Sequence, residues 1–240
     1  MQKNNLAKNI ILYKYIDMNT ELLALRNTYN YECDAQVAEV GIFNEFPFVI
    51  LDRTVFYPQG GGQPSDIGKI YSGENIFEVT KCQIIDDKCY HFGTFINGEL
   101  AVGDNVSVEI DSEKRNHHAR LHTAGHLIEL GLSELGYNLE PTKGYHFPAG
   151  PYLEYKESLP QVEGLISDLE SSLARIIARD SKVSFEIISG THENGKPMRV
   201  LHIDGFGDIG CGGTHVQHLG QIGQIKIRKI KGNRVSYEII

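Results

Sequence analysis

The sequence has few cysteines and no apolar run that could cross a membrane. A membrane-spanning helix needs about 20 consecutive apolar residues, and no stretch of the 240 residues approaches that length. Near the beginning of the chain, the run from Ile10 to Tyr13 is too short for the core of a secretion signal. The four cysteines include no Cys-x-x-Cys pair, which argues against a disulfide framework or a redox dithiol. We therefore expect an intracellular, cytoplasmic protein with no membrane partner.

The composition is that of a globular protein. Hydrophobic residues make up 41% and charged residues 22% of the chain, so disorder, collagen and coiled coil are excluded. The net charge of -8 argues against nucleic-acid binding, but residues 113–240 are balanced, with 15 basic and 15 acidic residues. Within them, Ile209 to Tyr237 contains five basic residues and no acidic one. Such a patch suits phosphate contacts, although exposed strands also commonly carry Lys and Arg.

The first part of the chain has the pattern of a small all-β domain. Its segments are rich in aromatic and β-branched residues, and turn signals such as Asn97-Gly98 separate them. The predicted strands are Thr28–Val40, Phe48–Phe56, Lys69–Tyr71, Ile76–Ile85, Cys89–Phe95 and Val106–Ile110. This spacing predicts a small β-barrel or sandwich, which we place at residues 1–111.

The hydrophobic period changes at Asp111-Ser112, a plausible helix cap. We predict one helix from this cap to Gly136 and a second from about Ser158, with Pro160 tolerated in its first turn. The predicted strands that follow are Val183–Ile188, Met198–Ile203 and a hairpin of Gln224–Ile230 with Arg234–Ile240. Residues 112–240 are therefore predicted to combine helices with an antiparallel sheet, and the whole chain is predicted to be α+β.

Three histidines, His118, His122 and His126, recur at every fourth position of the first predicted helix. A step of four residues turns only about 40° round the helix axis, so two successive imidazoles can reach one ion. Two histidines at this spacing form half of a zinc site, but polar helix faces also carry histidines by chance. Ala124 and Gly125 leave room beside the second pair, which favours His122 with His126.

Cys211 lies between glycines, and His215 follows it by four residues. Glycines offer no side-chain packing and permit positive φ, whereas a buried structural thiol usually has apolar neighbours. Cysteine and histidine at this separation can chelate one cation, and with a helix histidine pair they form a set suited to Zn²⁺. The alternatives are a tight turn with an incidental thiol and a nucleophilic cysteine with a histidine base.

Three motifs resemble those of one family. His122-Thr-Ala-Gly-His126 and Cys211-Gly-Gly-Thr-His215 resemble the HxxxH and CxxxH zinc motifs of alanyl-tRNA synthetase editing domains. Phe56-Tyr-Pro-Gln-Gly-Gly-Gly-Gln-Pro64 resembles the glycine-rich segment that precedes those domains. Together they make the chain similar to the free-standing alanyl-tRNA editing proteins called AlaX, in their medium-length form. That form has a small N-terminal β-barrel domain followed by an antiparallel-sheet-plus-helices editing domain.

The resemblance implies the roles of several residues. Zinc ligands are implied at His122, His126, Cys211 and His215. A polar position just beyond the motif helix is implied to read the hydroxyl of a mischarged seryl group. Thr142 falls at that position, although synthetase relatives often have Gln there. His118 is not used by the motif, and we expect it to be a solvated or capping residue.

The run Gly60-Gly61-Gly62 lacks the Gly-Lys-Ser/Thr ending of a nucleoside-triphosphate loop, so we expect no ATP. Glycines let backbone N–H groups approach a phosphate, a ribose or a neighbouring domain; the alternative is a barrel turn that needs positive φ. We favour contact with the active-site cleft or the tRNA end. The predicted tRNA contacts are Gly60, Gly61, Gly62, Gln63, Lys143, Lys226, Arg228 and Lys229.

The predicted function is zinc-dependent hydrolysis of the ester that links serine to the acceptor end of tRNA(Ala). Zinc can polarise the carbonyl and lower the pKa of a bound water to about 7, and backbone N–H groups of Gly212 and Gly213 are predicted to stabilise the oxyanion. Four protein ligands usually make a closed structural site. The sequence therefore leaves open a loose ligand, a five-coordinate ion, or an ion that only positions substrate.

Two other functions stay open: a non-catalytic tRNA-binding module that zinc braces, and a metal hydrolase of small esters or amides. The chain lacks room for an aminoacylation core, so we do not expect it to charge tRNA.

Overall fold

The computed structural model describes residues 20–188 and 198–240. The run Ile10 to Tyr13 lies outside these residues, and no helix within them is long and apolar enough to span a membrane. The described residues form two units, one within Tyr13–Gly60 and Pro64–His117, the other within Gly61–Gln63 and His118–Ile240. The division does not follow a single chain position, and a domain boundary at residue 111 stays a prediction.

The first unit contains a closed barrel of six antiparallel strands, in the order β2-β3-β7-β6-β5-β8. Its strands are β2 (Glu32–Phe43), β3 (Phe46–Leu51), β5 (Gly68–Ser72), β6 (Asn75–Ile85), β7 (Lys88–Asn97) and β8 (Asn105–Ile110), and a short parallel pair joins β1 (Glu21–Leu22) to β4 (Arg53–Thr54). β8 shows why these sequences form a barrel: it buries Val106, Val108 and Ile110 and exposes the residues between them. This period of two turns one face of each strand to the interior. The predicted β-barrel is confirmed.

The first helix, α1 (Ser112–Glu134), begins in this unit. Asp111 caps it by accepting the N–H of Lys114 at 2.9 Å. Arg115 is fully buried and donates to the carboxylate of Asp66, which is buried too. It also donates to the Thr28 carbonyl at 2.8 Å. A buried charge is costly unless it is paired and hydrogen-bonded, so these contacts hold the first turn of α1 in one position.

The second unit packs helices on antiparallel sheets. Besides α1 it contains α2 (Leu165–Ala178), a sheet in the order β14-β15-β10-β9, and a sheet in the order β11-β12-β13. The strands are β9 (Pro141–Tyr145), β10 (Tyr152–Tyr155), β11 (Val183–Ile188), β12 (Met198–Ile203), β13 (Gly207–Gly210), β14 (Ile225–Lys231) and β15 (Arg234–Ile239). Leu127 and Ile128 of α1 share one buried cluster with Leu169 of α2 and Tyr237 of β15. The chain is α+β, as predicted.

The second helix begins at Leu165, so the prediction of a start near Ser158 is wrong. The side chain of Leu159 is buried, and its N–H donates to the Gly232 carbonyl at 2.9 Å. This hydrogen bond holds the chain against the turn between β14 and β15. Gly164 then precedes the helix with a φ of 86°, a conformation that glycine adopts without strain.

Candidate metal centre

The structure brings together the four side chains that were predicted to bind metal. His122 and His126 lie on α1, and Cys211 and His215 lie in the loop that follows β13. The Cys211 Sγ is 3.4 Å from Nε2 of His122, 3.4 Å from Nε2 of His126 and 3.2 Å from Nε2 of His215. The four donor atoms all lie within 4.8 Å of one another. One cation can therefore contact all four.

Burial keeps these imidazoles neutral. It lowers the pKa of His126 to about 4 and holds the pKa values of His122 and His215 well below their usual range. A neutral imidazole has the lone pair that a metal ligand needs. Burial also raises the pKa of the Cys211 thiol, so a cation is needed to favour its thiolate.

Gln63 determines which nitrogen of His122 faces the cluster. Its Oε1 accepts the backbone N–H of Thr214 at 3.0 Å, which identifies this atom as the acceptor oxygen. His122 Nδ1 lies 2.9 Å from the same oxygen and must therefore donate to it. His122 Nε2 is then left with its lone pair towards Cys211. Gln63 was predicted to contact tRNA; that prediction is wrong for its side chain, which is fully buried in these bonds.

Thr123 has the same effect on His215. Its hydroxyl donates to the Ala119 carbonyl at 2.8 Å, so its single proton is used. His215 Nδ1 lies 3.2 Å from the same oxygen and must donate to it. Both imidazoles thus carry their proton on Nδ1 and present Nε2 to the thiol, as outer hydrogen bonds do for metal-binding histidines.

Arg199 of β12 holds the loop that carries Cys211. The guanidinium is buried and donates to the carbonyls of Cys211 at 2.9 Å and Gly213 at 2.8 Å. It lies 4.0 Å from the ring centroid of Phe185. Its charge acts against burial by lowering the pKa of the Cys211 thiol. Sequence reasoning missed Arg199, because an arginine within a strand pattern is usually solvent-exposed.

A carboxyl group also lies near the thiol. Burial raises the pKa of Glu129 to about 7, and its charge contributes to the raised pKa of Cys211. Because the raised pKa favours the neutral carboxyl, its repulsion of a Cys211 thiolate is reduced.

His146 fills the space that Gly125 leaves beside the predicted ligands. The His146 ring stacks on the His122 ring with a centroid distance of 4.4 Å, and its Nδ1 lies 2.7 Å from the Tyr237 hydroxyl. A Cβ at Gly125 would lie 2.5 Å from this ring, and one at Gly144 2.6 Å from it. The room inferred from Gly125 is therefore occupied by a side chain of the protein. Burial lowers the pKa of His146 to about 3.

The glycine-rich turn lies against this site. Gly61 and Gly62 have φ values of 55° and 76°. The Gly62 carbonyl accepts a hydrogen bond from the backbone N–H of His146 at 2.8 Å. A Cβ at Gly62 would lie 2.2 Å from the carbonyl oxygen of Gly144. The turn therefore has both features that the sequence offered as alternatives: Gly61 and Gly62 have positive φ, and Gly62 lies close to residues of the site. Gly60 is partly exposed and Gly61 is exposed.

The remaining predicted residues have different surroundings. Thr142 is exposed on β9, and its hydroxyl donates to the Glu154 carbonyl at 3.1 Å. The Gly213 N–H donates to the Cys211 Sγ at 3.4 Å; it is therefore used by the thiol, and the predicted oxyanion role is left to Gly212. His118 is buried, so the expectation of a solvated residue is wrong. The predicted phosphate contacts Lys143, Lys226, Arg228 and Lys229 are all exposed.

A second group of possible ligands, Cys82, Cys89 and His91, lies in the barrel unit. His91 Nδ1 is 3.0 Å from the Val49 carbonyl, and its Nε2 is 2.9 Å from the Thr54 hydroxyl. Both ring nitrogens are therefore already hydrogen-bonded. Of the two clusters among the described residues, only the one around Cys211 offers imidazole nitrogens to a metal.

Comparisons with known proteins identify the family. Residues 1–114 match the family model of class II (A) tRNA synthetases, and residues 198–237 match that of the threonyl and alanyl tRNA synthetase second additional domain. Alanyl-tRNA editing protein AlaX-M of Methanosarcina acetivorans is 32% identical over an alignment that covers 91% of this chain and 98% of that protein. The chain belongs to the AlaX family. The resemblance inferred from the three motifs is confirmed.

Other relatives place this AlaX chain beside synthetases. AlaX-M of Methanosarcina barkeri is 31% identical over 91% of the chain and 98% of its own length. The alanine–tRNA ligase of Neisseria meningitidis serogroup B is 36% identical over 75% of the chain. The chain spans about a fifth of the length of that ligase, 22%. Cys211 and His215 of the candidate metal centre lie inside the second matched region, whereas His122 and His126 lie outside both.

Proposed function

We propose that this AlaX protein is a zinc-dependent deacylase that hydrolyses the ester of Ser-tRNA(Ala) in trans, as a proofreading step of translation in the cytoplasm. The observation that carries the proposal is the convergence of four donor atoms within 4.8 Å, supplied by one helix and one loop. Relatives that the chain matches over nearly their whole length are named alanyl-tRNA editing proteins. The proposed domains are a barrel domain at residues 1–111 and an editing domain at residues 112–240.

The donor set fits zinc. Three imidazole nitrogens and one thiolate sulfur suit Zn²⁺, and His122, His126, Cys211 and His215 would hold it. When bound, the ion supplies a Lewis acid for the ester carbonyl. The protein prepares the set in advance, because Gln63 and Thr123 keep the Nδ1 protons of two histidines in place.

The groups around the donor set have separate tasks. Arg199 fixes the Cys211–Gly213 carbonyls and so the position of the thiol. The Gly212 N–H is the donor we assign to the developing oxyanion. Thr142 can accept a hydrogen bond from the seryl hydroxyl, because its own proton is donated to Glu154. The partner of the site is the serine-carrying acceptor end of tRNA(Ala), and we expect no ATP and no aminoacylation.

The first test is deacylation with and without metal. We expect the zinc-loaded protein to hydrolyse Ser-tRNA(Ala) faster than Ala-tRNA(Ala), chelation to abolish the activity, and added zinc to restore it. Release of labelled serine from the tRNA measures the rate. Full activity of the metal-free protein would contradict the zinc requirement.

The same assay separates the rival functions. A stable, metal-dependent fold that binds tRNA but leaves the ester intact indicates a binding module. Salt-insensitive or absent tRNA binding together with cleavage of small esters indicates the small-molecule hydrolase, because phosphate contacts make tRNA binding salt-dependent.

The second test concerns Thr142. We expect Thr142→Val to lower kcat/KM for Ser-tRNA(Ala) by about 10- to 100-fold and to change hydrolysis of Ala-tRNA(Ala) little, because a site that hydrogen-bonds a hydroxyl discriminates strongly by that contact. Thr80→Val is the matched control, since Thr80 is an exposed strand threonine of the barrel that also bonds a carbonyl. An unchanged seryl-to-alanyl ratio in Thr142→Val would show that this hydroxyl does not select the substrate.

A further inference from the structure

Three aromatic rings form a column beside the metal centre. Tyr152 and Tyr145 stack with a centroid distance of 5.0 Å and an interplanar angle of 19°. Tyr145 and Phe147 stack at 4.4 Å and 13°. The guanidinium carbon of Arg234 lies 4.0 Å from the Tyr152 centroid. A cation therefore covers one end of the column, and Phe147 forms the other end.

The strand register places the column on a cationic sheet face. One row of paired residues contains Lys229, Ser236, Tyr152 and Tyr145, and the neighbouring row contains Lys231, Arg234, Glu154 and Lys143. Paired residues, and residues two apart in a strand, project from the same face. Leu153, Val235 and Tyr237 project from the other face and are buried. In these two rows, four basic residues and one acidic residue thus share the outer face with the rings.

Phe147 is the terminal ring of the column. The side chain is partly exposed, and among residues 20–188 and 198–240 no other ring than that of Tyr145 stacks on it. The residue between these two in the chain is His146, whose ring stacks on His122 at 4.4 Å. Phe147, at the end of the column, therefore directly follows His146, which packs against the candidate metal ligand His122.

We propose that Phe147 stacks on an unpaired nucleobase from the 3′ end of the tRNA, while Lys143, Lys229 and Lys231 contact phosphates of the same tRNA. The inference rests on the proposed function and adds a binding surface to it. Aromatic rings beside a cationic track are the chemistry of single-stranded nucleic-acid binding. A paired stem keeps its base faces covered by stacking, so the ligand has to be the unpaired part. An acidic peptide would use the cations but would have no base to place on the ring.

The test compares two RNA hairpins that carry no amino acid and share one acceptor-stem sequence. One hairpin has the unpaired 3′ nucleotides, and the other is blunt. A fluorescent purine analogue in the overhang reports stacking by loss of fluorescence. We expect Phe147→Leu to weaken binding of the overhang hairpin about tenfold, to remove the quenching and to leave the blunt hairpin unchanged. Lys229→Gln should weaken both hairpins and reduce the slope of log affinity against log salt by about one.

Controls separate loss of a ring from loss of the fold. Phe147→Trp keeps a ring and should bind the overhang hairpin at least as tightly as the unmodified protein does. Phe46→Leu removes an exposed ring of the barrel unit and should change neither hairpin. If Phe147→Leu does not fold, weaker overhang binding by Phe147→Trp would overturn the proposal.

Two further results would also overturn it: equal weakening of both hairpins by Phe147→Leu, or overhang binding that this variant leaves unchanged. Because the RNA carries no amino acid, the result does not depend on hydrolysis of an ester. Selective loss of overhang binding supports the surface even if Ser-tRNA(Ala) proves not to be cleaved.

Discussion

Cys211→Ala is expected to lose bound metal and to deacylate Ser-tRNA(Ala) at least about 100-fold more slowly. The thiol is the common neighbour of the cluster, because its sulfur lies within 3.4 Å of Nε2 of each of the three histidines. The Gly213 N–H and the Arg199 charge both favour its thiolate. Alanine removes the only thiolate among the four candidate ligands and leaves three imidazoles.

Metal content by atomic emission and Co²⁺ absorption measure this loss directly, since a cobalt–thiolate bond gives a charge-transfer band that imidazole ligands do not. Cys33→Ala is the control: Cys33 is a partly exposed thiol in β2, and its loss should change neither readout. A Cys211→Ala protein that keeps its zinc but loses activity would indicate the nucleophilic cysteine considered above. One that keeps both would show that the cluster is not the reaction site.

The two pairs of candidate metal ligands could be predicted from the sequence because each pair is local. His122 and His126 share a helix face by their spacing, and Cys211 and His215 are joined by a short glycine turn. The surroundings of the ligands could not be predicted. His146 reaches His122 only because Gly125 and Gly144 leave space for its ring, and these glycines belong to different elements.

The fold was predictable where the hydrophobic period is long and regular. β8 alternates buried and exposed residues over its six residues, and α2 has a strong helical period over its 14 residues. β9, β10 and β13 were missed because they are four or five residues long, and β9 and β13 contain glycine or proline. Such short strands are stabilised by their neighbours in the sheet rather than by their own propensity. The start of α2 was misplaced for a similar reason, since a hydrogen bond to Gly232, distant in sequence, holds Leu159 outside the helix.

Gln63→Leu is expected to weaken metal binding about 10- to 100-fold, although Gln63 does not contact the metal. Its Oε1 accepts hydrogen bonds from His122 Nδ1 and from the Thr214 N–H. Its Nε2 donates a hydrogen bond to the Thr214 hydroxyl at 2.9 Å. Leucine leaves two buried donors without a partner, which costs about 1–3 kcal/mol for each of them. It also allows the His122 proton to move to Nε2, where it would compete with the cation.

Gln63→Glu separates this positioning role from packing. A carboxylate accepts both N–H groups, and the Thr214 hydroxyl can rotate to donate to it, so the His122 proton stays on Nδ1. We therefore expect Gln63→Glu to keep most of the metal affinity that Gln63→Leu loses. Competition with a chelator measures both affinities, and Gln59→Leu, at an exposed position four residues away, is the control. Equal affinity in Gln63→Leu and the unmodified protein would show that the imidazole needs no partner to present Nε2. Equal losses in the leucine and glutamate variants would show that the amide acts through packing alone.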